Sequence, residues 1–497
     1  MALLAVAALA GGTAACSGDD EAGDAPGGAP SGDEEGTATA TTAPAGPVAE
    51  LTALDGGDGP FVAAATTPDL DALGYVEEEY AASGTATSYA PEGELGGDGR
   101  WTLRPDASAP YRTRVLVRRP ADADDMSGTV VVEWLNVSGG ADANPDYVML
   151  EEEIARRGHV WVGVSAQRIG VEGGPVLVTA PGGEGIAGKG LKALDPARYG
   201  SLEHPGDGFA FDIFTQVARA VRAGGPITAG ARPDRVLAVG ESQSAVALTT
   251  YYNGVQPIAG AFDGFLVHSR GSVALPFVGP GEHADLAGSI GGGAVLLRDD
   301  LDAPALVLQA EGDVIGVLSS YAVRQDDTDT YRLWEVAGTA HADTRLVGAT
   351  AEQLDCGAPV NDGPMHVVAK AALRALEEWV RTGDAPPEAP RLEVAGDPPA
   401  IVRDGDGIAR GGIRTPPVDV PVVVLSGAPP PNPDLLCILL GSTTPLPPER
   451  IRELYASRAD YEQRYAAAAD DAIATGFVLE EDREALLGYA DPSAVPG

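Results

Sequence analysis

Residues 235–248 read Arg-Val-Leu-Ala-Val-Gly-Glu-Ser-Gln-Ser-Ala-Val-Ala-Leu, and the architecture of the chain can be inferred outward from them. The apolar residues at 236–239 predict a short buried strand, and the run after Gln243 predicts a helix. Gly240 to Ser244 must then form a sharp turn with Ser242 at its apex. Only small residues fit two positions before and after such an apex, and Gly240 and Ser244 both meet that requirement. The segment therefore predicts that the Ser242 hydroxyl projects beyond a strand end, beside the start of a helix.

Strand and helix patterns alternate on both sides of this turn. An alternating order of strands and helices predicts an α/β fold with a mostly parallel sheet. Charged and apolar residues alternate at 112–119, which predicts a half-exposed strand at an edge of that sheet. The remaining segments are strands at 128–136, 159–165, 265–268, 305–309 and 331–336, and helices at 145–157, 209–223 and 366–382.

Polar residues that can carry out chemistry follow three of the predicted strands. In an open α/β sheet, functional side chains lie at the carboxyl ends of the strands. Ser242 follows one strand, Glu311 and Asp313 follow the next but one, and His341 follows the last. A serine hydroxyl needs a base within hydrogen-bond reach, so His341 is predicted to be that base. Asp313 is predicted to orient the imidazole, with Glu311 as the alternative, because a triad needs a carboxylate behind the histidine.

The same arrangement needs donors for a developing oxyanion. The backbone N–H of Gln243, directly after the nucleophile, is the first predicted donor. The second should come from the loop after the strand at 130–135, where Val137 is the preferred candidate and Ser138 the next.

Composition limits the classes of partner and cofactor. The chain has 497 residues, 44% of them hydrophobic, which is enough for a large core. Its net charge of −40 argues against nucleic acid and against docking by charge on anionic lipid. The glycine-rich run at 183–189 matches most of a phosphate loop, but residue 190 is Gly where that loop needs Ser or Thr. No Cys/His cluster is evident, so neither a metal nor a cofactor is expected.

The N-terminal residues predict export. Residues 2–10 are apolar but too short to span a bilayer, and small residues lead to Cys16, so residues 1–15 are predicted to be a signal peptide. Cys16 would be the lipid-modified first residue of a protein on the outer face of the cell membrane; the alternative is a secreted protein. Residues 16–47 are mostly Gly, Ala, Ser, Thr, Pro, Asp and Glu and predict a disordered spacer. Cys356 and Cys437 remain as either a disulfide or two buried thiols.

The chain resembles the exported bacterial α/β-hydrolase domain-containing proteins. This resemblance implies an α/β-hydrolase fold over residues 48–497, with 390–497 as a C-terminal extension of hairpins and helices. Ser242 and His341 fall on motifs of this family, and the family also has Ser at the position of Ser244. The matching segments are residues 111–120, 130–140, 240–245, 333–343, 361–366, 411–421 and 441–445.

Together these features predict a serine hydrolase that cleaves small carboxylic esters through an acyl-enzyme. Two alternatives stay open. The lipoprotein-like leader and long spacer also fit a surface-anchored binding protein with an inactive site. An amidase or peptidase differs from an esterase only in its leaving group, which the sequence does not distinguish.

Overall fold

A nine-stranded β-sheet forms the centre of the computed structural model, which describes residues 46–64, 67–179, 183, 185–430 and 435–495. All of these residues belong to one unit, Ala43–Gly497. The predicted signal peptide, Cys16 and nearly all of the predicted spacer lie outside the described residues. The strands of the sheet are β1 (Glu50–Ala53), β2 (Tyr75–Pro91), β3 (Leu103–Pro120), β4 (Thr129–Trp134), β5 (Val160–Val164), β6 (Arg235–Glu241), β7 (Gly264–His268), β8 (Ala305–Ala310) and β9 (Tyr331–Val336).

The strand order is β1-β2-β3-β5-β4-β6-β7-β8-β9. The first three strands are antiparallel, β3 pairs antiparallel with β5, and the remaining six are parallel to one another. Parallel strands need crossover connections, and here helices supply most of them. This arrangement confirms the predicted α/β fold and places the carboxyl ends of β4 to β9 at one edge.

Helices cover both faces of the sheet. Phe214 of one helix and Leu248 of another bury one face, while Leu150 and Leu373 of two further helices bury the other. The helices are α1 (Leu70–Leu73), α2 (Pro145–Arg157), α3 (Arg168–Glu172), α4 (Leu191–Leu194), α5 (Pro196–Tyr199), α6 (Ala210–Ala223), α7 (Gln243–Thr250), α8 (Gln256–Ala259), α9 (Leu286–Ile290), α10 (Glu311–Val314), α11 (Thr344–Val347), α12 (Met365–Thr382), α13 (Pro416–Asp419), α14 (Leu435–Leu440), α15 (Pro448–Leu454), α16 (Arg458–Ala474) and α17 (Arg483–Leu487). None of the helices in the described residues is long and apolar enough to cross a membrane.

Strand β3 is not the half-exposed edge strand that its alternating pattern predicts. It lies between β2 and β5, and Val115 and Val117 are fully buried. Arg114 is fully buried too, where its guanidinium donates to Glu79 Oε1 at 3.1 Å and to Asp142 Oδ2 at 2.7 Å. The prediction was wrong because Arg114 and Arg118 are buried and paired with carboxylates instead of solvated.

The C-terminal extension packs against the last strand of the sheet and against α12. Ile413 bonds to the backbone of β9, and Phe477 packs edge-on against Trp334. A disulfide joins Cys356 to Cys437, which lies in α14. The extension also holds two small antiparallel pairs: β10 (Val394–Ala395) with β11 (Ala400–Ile401), and β12 (Val423–Ser426) with β13 (Ser442–Pro445).

Candidate active site

The turn between β6 and α7 holds Ser242 in a backbone conformation that only a tightly packed site maintains. Its φ and ψ are 62° and −118°, in a region that residues other than glycine rarely adopt. A Cβ added at Gly240 would lie 2.9 Å from the Leu248 side chain and 3.1 Å from the Ser244 Cβ. Small residues are therefore needed at both positions, as the sequence predicts.

The structure brings Ser242, His341 and Asp313 together at the carboxyl edge of the sheet. His341 Nε2 lies 2.8 Å from Ser242 Oγ, and His341 Nδ1 lies 2.7 Å from Asp313 Oδ1. The backbone N–H of Ala310 donates to Asp313 Oδ2 at 2.6 Å and so fixes the carboxylate. These contacts order the imidazole so that Nδ1 faces a carboxylate and Nε2 faces a hydroxyl.

Glu311, the alternative acid, points elsewhere. Its carboxylate accepts the backbone N–H groups of Gly338 at 2.8 Å and Gly427 at 3.0 Å. Arg403 donates to the same carboxylate at 2.5 Å. Glu311 therefore ties the C-terminal extension to the loop that carries His341, and Asp313 is the acid that contacts the imidazole.

A second carboxyl group lies beside the imidazole. Glu241 Oε1 is 3.9 Å from His341 Nε2. Burial raises the pKa of Glu241 to about 7, although the charges of His341 and His268 oppose this shift. Burial alone would lower the pKa of His341, but the charge and hydrogen bond of Asp313, with the charge of Glu241, outweigh it and raise that pKa above 6.5.

A buried histidine–aspartate pair lies close to this cluster. His268, at the end of β7, has its Nδ1 2.9 Å from Asp146 Oδ1. The backbone N–H of Asp146 in turn donates to Glu133. The sequence places His268 at the end of the strand predicted at 265–268 and Glu133 in the strand predicted at 128–136. It gives no signal for Asp146, because that residue belongs to a helix that is far away in sequence.

The Gln243 side chain connects the loop after β4, which carries the predicted oxyanion donors Val137 and Ser138, to the turn between β6 and α7. The N–H of Val137 donates to Gln243 Oε1 at 3.1 Å, and the N–H of Ser138 donates to Asn136 Oδ1 at 2.8 Å. The N–H groups of Val137 and Ser138 are therefore not free to bind an oxyanion in this geometry, because each already donates to a side-chain oxygen. Gln243 Nε2 donates to Gln167 at 2.6 Å, so its amide spans two loops. Its backbone N–H is at the first position of α7, where helix amides have no intrahelical acceptor.

Ser165, which directly follows β5, is part of the buried ion cluster of β3. Ser165 Oγ donates to Asp142 Oδ2 at 2.5 Å and accepts from Arg114 Nε at 2.8 Å. It is fully buried, so it has no access to a substrate. The glycine-rich run at 183–189 is only partly among the described residues.

A cavity of about 260 Å³ opens at Ser242 and His341. Its walls are mostly aliphatic, including Val246 and Leu275, and α14 contributes Leu436 and Leu439. Among the described residues no Lys or Arg lines it, and Glu241 is the acidic residue that does. In the described part of the chain, no group of three or more His, Cys, Asp or Glu side chains is arranged to bind a metal ion.

Comparison with known proteins identifies the family. No curated protein matches the chain significantly. Among solved structures, a thermostable esterase from Pseudomonas putida is 14% identical, with a TM-score of 0.32 over 63% of this chain and 85% of its own. An esterase from Rhizomucor miehei is 13% identical, with a TM-score of 0.31 over 61% and 85% of the two chains. Carboxyl esterase 2 from Tuber melanosporum is 12% identical, with a TM-score of 0.29 over 59% and 88%.

A family model described as an alpha/beta hydrolase domain matches residues 43–488. The match spans most of the chain and includes the β6–α7 turn as well as the loop that carries His341. The protein therefore belongs to this α/β-hydrolase family, as the sequence resemblance implies.

Proposed function

We propose that the protein is a serine hydrolase that cleaves carboxylic esters through an acyl-enzyme. The observation that supports this most strongly is the continuous chain of hydrogen bonds from Ser242 Oγ through His341 to Asp313, at 2.8 and 2.7 Å. Family membership supports a hydrolase, and the aliphatic cavity at Ser242 supports an uncharged substrate.

In the proposed reaction, Ser242 Oγ attacks the ester carbonyl carbon while His341 Nε2 takes the hydroxyl proton. Asp313 stabilises the imidazolium that forms, because its carboxylate accepts the hydrogen bond from Nδ1. The oxyanion lies near the backbone N–H of Gln243 at the start of α7. The tetrahedral intermediate then collapses, and His341 returns the proton to the leaving alkoxide, which departs as the alcohol.

Water completes the cycle. His341 takes a proton from a water molecule as its oxygen attacks the acyl carbon, and the second tetrahedral intermediate releases the carboxylic acid and restores Ser242. In this scheme Gln243 is also a positioning residue, because its amide holds the loop of Val137 against the turn.

The test is hydrolysis of p-nitrophenyl butyrate by the purified protein and by Ser242→Ala. We expect the substitution to lower kcat by on the order of 10⁵-fold, with an unchanged melting temperature. The control is Ser289→Ala, which removes another hydroxyl that lines the same cavity and should retain most of the activity. Full activity in Ser242→Ala, or no ester hydrolysis by the wild type, would rule out the proposal.

We also propose that the protein is exported and attached to the outer face of the membrane through a lipid on Cys16. The disulfide between Cys356 and Cys437 supports an oxidising compartment, where such bonds persist. Membrane fractionation of the wild type and of Cys16→Ala tests this. The wild type should partition into detergent and the variant into the aqueous phase; equal partitioning of the two would contradict lipid attachment.

A further inference from the structure

Exposed apolar side chains surround the mouth of the active-site cavity. In the described part of the chain, seven large apolar side chains are exposed. Two of them, Ile290 and Val317, line the cavity, and a third, Val176, precedes Leu177, which also lines it. Their exposed fractions are 38%, 37% and 38%, respectively. Single exposed apolar residues are common, but two in the wall of one cavity, with a third next to a wall residue in sequence, indicate a surface that contacts something apolar.

These three residues, here called the apolar rim, come from three separate connections between strands of the sheet. Val176 follows α3, Ile290 ends α9, and Val317 follows α10. All three connections leave the carboxyl edge of the sheet, where Ser242 lies. The rim therefore continues the aliphatic walls of the cavity outward to the protein surface.

The cavity is small for the surface that surrounds it. Its volume of about 260 Å³ lies just below the usual range of ligand pockets, which is roughly 300–1,000 Å³. An ester with a long apolar chain would fill this volume near Ser242 and leave the distal part of the chain on the rim. Cationic side chains do not line the described walls, and Glu241 would repel a substrate that carries an anionic group.

Resting on the proposed function, we propose that the substrates are neutral esters with a long hydrocarbon chain. The part of the chain next to the ester lies in the cavity, and the distal part lies against Val176, Ile290 and Val317. The net charge of −40 favours neutral lipid esters as this apolar partner over an anionic membrane surface.

The experiment measures kcat/KM for p-nitrophenyl esters from acetate to laurate below their critical micelle concentrations. Each buried methylene should raise kcat/KM about fourfold, because its transfer from water is worth about 0.8 kcal/mol. A matched short ester with a carboxylate at the end of its acyl chain, which would lie inside the cavity, should be hydrolysed at least about 100-fold more slowly. A rate that is highest for acetate, or equal rates for the neutral and carboxylate esters, would overturn the proposal.

Substitutions in the apolar rim distinguish the contact with the substrate's hydrocarbon chain from the hydrolysis step at Ser242. The double variant Ile290→Ser/Val317→Ser should lower kcat/KM for laurate about tenfold more than it lowers kcat/KM for acetate. The control is Ile258→Ser, because Ile258 is 51% exposed but lies in α8, which precedes β7 at the opposite edge of the sheet. An equal loss for acetate and laurate, or the same loss in Ile258→Ser, would contradict the proposal.

Two further outcomes keep this inference distinct from the proposed function. If Ser242 is needed to hydrolyse short esters but chain length has no effect, the substrate class is wrong and the serine mechanism stands. If the wild type is a dimer by light scattering and the double rim variant is a monomer with unchanged laurate kinetics, the rim binds a second copy of the chain instead.

Discussion

Glu241 is the residue whose environment bears most directly on how the proposed reaction depends on pH. Its carboxylate lies 3.9 Å from His341 Nε2, and burial raises its pKa to about 7. Asp146 and Asp313 add further negative charge near it. Around neutral pH, Glu241 therefore changes its charge beside the proposed base, and its ionised form favours the protonated imidazole.

The first prediction concerns the pH profile. Only neutral His341 can take a proton from Ser242, so kcat/KM should rise with pH through the pKa of His341, above the ordinary 6.5 of a histidine. Glu241→Gln removes one of the charges that raise this pKa, so the rising limb should move to lower pH. The measurement is kcat/KM for p-nitrophenyl butyrate from pH 5 to 9.

Glu378→Gln, an exposed substitution on α12, is the control and should leave the profile where it is. A rising limb in Glu241→Gln that is unchanged, or that moves to higher pH, would contradict the role given to this carboxyl group.

The second prediction concerns the turn itself. Gly240→Ala should lower the free energy of unfolding by about 1–3 kcal/mol, because the added methyl would overlap with Leu248 and Ser244. Ser244→Ala should instead raise it by about 1 kcal/mol, because the Ser244 hydroxyl is buried without a hydrogen-bond partner in the described part of the chain. Urea unfolding of both variants measures the difference; equal destabilisation by both would contradict this account.

At the level of residues, chain order and strand ends were enough to predict which polar groups come together. Ser242, Asp313 and His341 each follow a strand, and parallel strands bring their carboxyl ends to one edge. The Gln243–Gln167 contact could not be predicted, because two amides on separate loops have no pattern in sequence. The hydrogen bond from the Val137 N–H to Gln243 Oε1 could not be predicted from the sequence for the same reason.

Among the elements, β3 shows that a strand with buried, paired charges can have the same alternating sequence pattern as a half-exposed strand. The neighbours of Arg114 in the folded protein come from β2 and from the loop before α2. Neither partner is apparent from the alternation at 112–119, so the sequence predicts an edge strand. The parallel strands were predicted correctly because continuous apolar runs are typical of strands buried on both faces.

The third prediction tests this buried cluster. Arg114→Ala should lower the free energy of unfolding by about 3–5 kcal/mol, because it leaves the carboxylates of Glu79 and Asp142 buried without their cation. Arg100→Ala is the matched control: its partner Asp299 is exposed, so the loss should be at most about 1 kcal/mol. Similar losses in the two variants, measured by urea unfolding, would contradict the importance given to the buried cluster.

On the scale of the whole molecule, the described residues account for the family and for the proposed site. The sequence predicts that residues 1–47 serve export and spacing only, since they contain no aromatic residue and few large apolar residues outside 2–10. The net negative charge and the apolar cavity are expected to have different roles. We propose that the net charge keeps the molecule apart from anionic partners and that the cavity selects the substrate.

The fourth prediction follows from this division. Deletion of residues 1–47 should leave both the melting temperature and kcat/KM for p-nitrophenyl butyrate unchanged, because the proposed site lies entirely within the described unit. Calorimetry and steady-state kinetics of the full chain and the truncated chain provide the comparison. A loss of activity or of stability in the truncated protein would show that the N-terminal residues contribute to the fold.

The most direct measurement of the central claim is covalent labelling of the protein with a fluorophosphonate, followed by mass spectrometry of the intact chain and of its peptides. The account predicts one equivalent of adduct on Ser242, formed on the order of 10³–10⁴ times more slowly in His341→Ala. An adduct on a different serine, or ester hydrolysis by a protein that does not react at Ser242, would contradict it.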